Sequence, residues 1–272
     1  IVVANTSSDN ISILRNTGAR GSIIQSSFAF KVDCATGDRP VSVAFGDLNG
    51  DGNPDLAVAN DGSGTVSVFQ NTSTVGSISF AVRKDYSTGV NPRSVALGDL
   101  DGDGKPDLAV ANFYDSTVSV FRNVSTGGSI SFADSVNFRT ASFPRSLAIG
   151  DLDGDGKPDL AIATGSLMST LSVLQNRSTS GISFTQKVDF RIRSKVITWA
   201  TIAIGDLDGD GKPDLLVNND RIDSVSVLRN TVSLPNLVSN GSFETGTAPW
   251  VFYTNGSGTF TTATLGLTSP GL

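Results

Sequence analysis

Asp99, Asp101, Asp103, Lys105 and Asp107 take every second position of one nine-residue stretch, DLDGDGKPD. Gly102 and Gly104 permit tight turning there, and Pro106 presets the way out. Four carboxylates crowded into one loop repel each other unless a cation is shared among them. Alternate residues of a tight loop point inward, and the main-chain carbonyl of the seventh residue can complete the set. Such a donor set suits a hard divalent ion, which takes about six to eight oxygens.

The stretch recurs as Asp47, Asn49, Asp51, Asn53 and Asp55, as Asp151, Asp153, Asp155, Lys157 and Asp159, and as Asp206, Asp208, Asp210, Lys212 and Asp214. Its seventh residue is a lysine or asparagine, as a main-chain ligand allows. An EF-hand is excluded, because its twelfth position requires Glu and Val110 stands there. Transition-metal sites lack soft ligands, since the chain has no His and one Cys. Mg²⁺ accepts the same donors but keeps several waters. An Asp-Gly turn that binds nothing is the bland alternative, and the fourfold repetition of the pattern argues against it. Asn49 replaces the second Asp of the first loop, which should make that site the weakest by charge count.

These loops must be carried by a repeating scaffold. They begin at Asp47, Asp99, Asp151 and Asp206, spaced by 52, 52 and 55 residues. Each is followed by SVFQN, SVFRN, SVLQN or SVLRN, ending at Asn71, Asn123, Asn176 and Asn230, and a fifth copy, SILRN, ends at Asn16. Each loop is preceded by a phenylalanine: Phe28, Phe80, Phe132 and Phe184. One unit reads as four strands: A over Ser94–Gly98, B over Asp107–Asn112, C over Thr117–Asn123, and D beginning near Ile130–Phe138. B and C alternate apolar and polar residues, turn residues separate all four, and no stretch has a helical period. Four short antiparallel strands per unit of about fifty residues predict an all-β propeller blade, with the acidic loops between strands A and B. IVVAN aligns with LAVAN, so about four and a half blades are expected, part of a larger ring.

The acidic phrases, followed by LAVAN and VSVFRN, resemble the FG-GAP/VCBS repeat family, whose members include integrin α-subunit heads and many bacterial surface proteins. The pair Phe45-Gly46 adds to the likeness. The resemblance covers residues 1 to about 235. It implies calcium-binding propeller repeats, about four Ca²⁺ ions, and ligands at the five alternating positions of each loop. It is specific for fold and calcium and uninformative about activity.

Composition narrows the function classes. The net charge is −6, and 15 of the 25 Asp residues lie in the four loops, so four dications would bring the charge to +2. No basic stripe suggests nucleic acid. No apolar run is long enough to span a membrane as a helix. Cys34 stands alone and forms no internal disulfide. The chain opens without Met or a secretory leader, and its start looks like an interior cut.

Loops B–C and D–A should emerge at the edge opposite the acidic loops, and they differ from blade to blade. Candidate ligand contacts there are Arg93, Arg145, Phe113, Tyr114 and Trp199, the last taking the place of Pro40, Pro92 and Pro144. Trp199 could stack on a sugar, although filling the propeller centre or a seam is the favoured alternative. Residues 236–272 break the pattern, and NLVSNGSFE resembles the opening of a carbohydrate-binding β-sandwich. The expectation is a calcium-stabilised, extracellular or cell-surface binding or adhesion module, bacterial in source, that recognises a protein or glycan. Its alternative is a structural subunit of a surface layer or filament that self-associates through the tail or an incomplete blade. A propeller-based polysaccharide-active enzyme ranks behind both, because the lone Glu244 lies in the tail and no paired carboxylates remain outside the loops.

Overall fold

The computed structural model describes residues 1–18, 20–21, 23–165, 170–192, 200–219, 224–232 and 250–254. All regular structure among them is β, apart from one 3₁₀ turn at Gln25–Ser27. Residues 1–99 and 103–138 form one compact unit, and 100–102 and 139–272 a second.

The first unit contains a three-stranded sheet, β1 (Val2–Asn5), β2 (Asn10–Ile13) and β3 (Val32–Ala35), and then two four-stranded meanders. These are β4 (Pro40–Gly46), β5 (Asp55–Asn60), β6 (Thr65–Phe69) and β7 (Lys84–Ser87), followed by β8 (Pro92–Gly98), β9 (Asp107–Asn112), β10 (Thr117–Phe121) and β11 (Val136–Arg139). The second unit repeats the plan with β12 (Pro144–Gly150), β13 (Asp159–Thr164), β14 (Thr170–Leu174) and β15 (Val188–Arg191), then β16 (Ile202–Gly205), β17 (Asp214–Asn219), β18 (Ser224–Asn230) and β19 (Trp250–Thr254). Every neighbouring pair is antiparallel, so the sheets are propeller-like blades.

The second strand of each meander is the reason the blades stack. All six residues of DLAVAN in β5 and β9, and of DLAIAT in β13, are buried, so the strand faces apolar neighbours on both sides. Within the first unit, Ala57, Ala59, Val66 and Val68 of one sheet pack against Val95, Leu108, Val110 and Phe121 of the next. The second residue of the acidic stretch joins this packing: Leu48 belongs to that cluster, and Leu152 to the corresponding cluster of the second unit. Each full A–B ladder shifts register between its proline and the serine two residues on, as at Pro92/Ser94. Proline donates no ladder hydrogen bond, and the resulting bulge turns the intervening residue, Arg93 or Arg145, out of the sheet.

One expectation is corrected. Strand D starts later than Ile130: Phe80, Phe132 and Phe184 instead bridge Asn71, Asn123 and Asn176, closing a short arm between strands C and D. Within the tail, Trp250–Thr254 pairs with Ser226–Asn230 as the last strand of its sheet. An alternating aromatic and β-branched segment satisfies an otherwise open strand edge there. The rest of the expected sandwich opening lies outside the described residues.

Candidate metal centre

Each acidic stretch turns between strands A and B, at the end of its sheet that also carries the C–D arm. The third stretch has the fullest geometry. Gly154 and Gly156 adopt φ of +77° and +86°, a region that costs glycine nothing. Their amides donate to Asp151 Oδ1 at 2.7 Å and Oδ2 at 2.9 Å. Asp155 N donates to Asp153 Oδ1 at 3.1 Å, and Lys157 N to Asp155 Oδ1 at 2.9 Å. Asp159, only 1% exposed, anchors the base, with Oδ2 accepting from Leu152 N at 2.9 Å and Oδ1 from Asn176 N at 2.8 Å. The loop therefore winds around its own carboxylates.

One oxygen from each of Asp151, Asp153 and Asp159 lies within 4.8 Å of the other two. That separation matches two metal–oxygen bonds of about 2.4 Å each. Each carboxylate oxygen has two lone pairs, and the amides of Gly154 and Gly156 take one from each oxygen of Asp151. Burial, followed by repulsion from Asp153 and Asp155, pushes Asp159 up to about 7. Burial, then Asp155 and Asp151, also raises Asp153. Lys157 turns away, donating from Nζ to Ser178 O at 2.7 Å. A cavity of about 90 Å³ opens beside Asp151 and Asp153, with Lys212 and Pro213 on its far wall. That is room for several waters. The donors are all oxygen, no lysine or arginine among the described residues pairs with them and solvent has access, so these residues fit a hard dication.

The other stretches share the winding and differ in the details. In the first, Asp47 accepts Gly50 N and Gly52 N at 2.8 Å each, and Asn53 N donates to Asp51 at 2.7 Å. Asn49 donates to Asp51 Oδ2 at 2.9 Å, which holds the Asp51 carboxyl low, and to Gly128 O at 3.0 Å. Asp55 is fully buried, and that burial raises its carboxyl. In the second, one continuous turn of chain gathers Asp99, Asp101 and Asp107, while Asp103 accepts Lys105 N at 3.0 Å. Lys105 Nζ bonds Ser125 O at 3.0 Å, as Lys157 does with Ser178. The fourth gathers Asp206, Asp208 and Asp210, all exposed, above a buried Asp214, and Lys212 Nζ lies 3.7 Å from Asp210.

The asparagine closing three of the SVxxN phrases has a role that spacing alone did not show. Asn123 Nδ2 donates to Pro106 O in its own sheet and to Leu48 O in the preceding one, both at 2.9 Å. Asn176 reaches Leu100 O at 2.9 Å and Asn230 reaches Leu152 O at 2.8 Å. The phrase therefore staples one blade to the acidic loop before it. Asn123 and Asn176 head Asn-X-Ser sequons but are buried with their amides committed, so the repeat accounts for those sequons.

At the opposite edge of the first unit, Arg93 is held in an ion pair. Its guanidinium lies 3.0 Å from Asp61, whose side chain is fully buried, while Arg39 approaches the same carboxylate at 3.2 Å. The Arg93 guanidinium also sits 5.3 Å from the Phe113 ring centroid, and Tyr114 meets Phe113 edge-on at 5.0 Å. Tyr114 is 62% exposed. Arg145 is partly buried at the matching bulge of β12, and Trp199 lies outside the described residues.

The profile of the FG-GAP-like repeat matches four consecutive, overlapping segments, residues 1–58, 47–110, 99–162 and 153–217. The chain belongs to the FG-GAP-like repeat family. No curated protein matches it. Among solved structures it is similar to the exotype rhamnogalacturonan lyase YesX, at 12% identity and a TM-score of 0.40. That alignment covers 80% of this chain and 52% of the lyase, so the chain spans about half the length of that structure. A likeness this loose bears on neither substrate nor activity. The FG-GAP repeats do account for the architecture: each pairs an acidic turn with the buried strand that follows it.

Proposed function

We propose that this FG-GAP repeat chain is a calcium-stabilised, non-enzymatic binding module of the cell exterior. The observation that carries the proposal is the third acidic loop, where Asp151, Asp153 and Asp159 converge and, among the described residues, form no ion pair with a lysine or arginine. Those carboxylates, with Asp155 and the main-chain carbonyl of Lys157, would hold Ca²⁺. The bound ion would supply charge neutralisation and tie strands A and B together, in place of the disulfides that a single cysteine cannot form. Recognition is assigned to the edge of the first unit opposite its own acidic loops, where the exposed Tyr114 and its partner Phe113 offer an aromatic surface beside Arg93. Aromatic faces of that kind suit a glycan or a protein loop.

The test is thermal unfolding in chelator against millimolar Ca²⁺, together with a glycan array probed in both. Calcium should raise the melting temperature by several degrees, and Tyr114→Ala should weaken array binding without lowering it. An identical melting curve in the two conditions would sink the calcium proposal.

A further inference from the structure

We infer that Arg229 is a built-in counter-ion of the fourth acidic loop, so that this loop keeps its shape without a divalent cation while the third loop requires one. The inference rests on the calcium reading above and assigns unequal roles to loops that look alike in sequence. It turns on the residue just before the stapling asparagine: Gln70, Arg122, Gln175 or Arg229.

In the fourth loop Arg229 Nε donates to Asp208, and its Nη2 lies 3.3 Å from Asp210 Oδ2. Lys212 Nζ approaches the same Asp210 at 3.7 Å. Two cationic groups therefore face four carboxylates. In the third loop Gln175 fills the corresponding place and gives Asp153 an amide hydrogen bond with no charge. Lys157 is turned to Ser178 O, and among the described residues no lysine or arginine forms an ion pair with Asp151, Asp153, Asp155 or Asp159. The two loops differ in burial as well. Leu152 is 1% exposed and Leu207 52%.

Ligand charge count tunes calcium affinity. An ion entering the fourth loop must displace a guanidinium that already compensates two carboxylates. Its affinity should fall below that of the third loop by roughly tenfold. The ranking thus differs from the one that counting acids predicts, in which Asn49 makes the first loop weakest. The sign of each loop is set by strand C, outside the acidic stretch.

The experiment is calcium titration calorimetry on the whole chain, comparing wild type with Arg229→Gln, Arg229→Lys and Gln175→Arg. Folding of each is checked by circular dichroism. Arg229→Gln should gain one bound Ca²⁺ per chain, Arg229→Lys should keep the wild-type number, and Gln175→Arg should lose one. If Gln175→Arg does not fold, the Arg229 pair decides alone, since a merely structural arginine would not change the number of sites. Equal stoichiometry and affinity in wild type and Arg229→Gln, with calcium bound by both, overturns the role of Arg229 and leaves the calcium reading standing. No binding by any variant overturns both.

Discussion

Replacing Asn123 with alanine should cost the first unit about 3 kcal/mol, and the same change at Asn71 clearly less. The Asn123 side chain is fully buried and makes three hydrogen bonds of 2.9 Å: to Leu48 O, to Pro106 O and from Ser125 N. Alanine leaves two carbonyls and one amide without that partner. Each lost bond is worth about 1 kcal/mol net, and more where water cannot replace it. Asn71 is the internal control. It bonds Pro54 O and Ser73 N, each at 2.9 Å, and is only half-buried. Its loss should cost about 1–2 kcal/mol. The difference of at least ~1 kcal/mol is the bond that crosses from one blade to the next. Urea unfolding in chelator, with m unchanged, measures it for both variants. Equal losses at the two positions would refute the blade staple.

Three further outcomes follow from the same packing. Asp61→Asn should destabilise the first unit by about 3 kcal/mol, because it strips the buried partner from Arg93. Arg39→Ala, at a side chain 58% exposed, should cost under ~1 kcal/mol, and the reverse order in chemical denaturation would discredit the buried Arg93–Asp61 pair. Gly37→Ala should cost more than about 1 kcal/mol, since a Cβ there would stand 2.8 Å from Asn60 Nδ2 in a packed turn. Gly181→Ala has open space around it and should melt like wild type. Burial, then Asp33, raises the Cys34 thiol, so at pH 8 its thiolate fraction lies below that of a free cysteine. Ellman's reagent should therefore react with it more slowly in the folded chain than in urea, and equal rates would contradict that.

Much of this was legible along the chain because it is local. The acidic stretch defines its own turn: glycines supply positive φ, proline sets the exit, and the strand after it begins at the last aspartate in every full copy. Two-residue alternation identified the central strands, and the spacing of 52 residues identified the blade. The late start of strand D was missed because ISF and VNF carry the same alternation. Only the bridge from Phe132 to Asn123 shows that the first belongs to an arm.

The sequence by itself determined the repeat, the all-β blades and an oxygen-rich loop suited to a hard cation, since each depends on residues within a few positions of one another. Tertiary structure alone decided where those residues lead. Asn123 meets Leu48 across 75 positions, Arg93 meets Asp61 of the preceding blade, and Arg229 lies on strand C while the carboxylates it neutralises lie on the turn before strand B. Such partners are chosen by which sheets stack and at what register. Four near-identical acidic phrases therefore carry four different electrostatic surroundings.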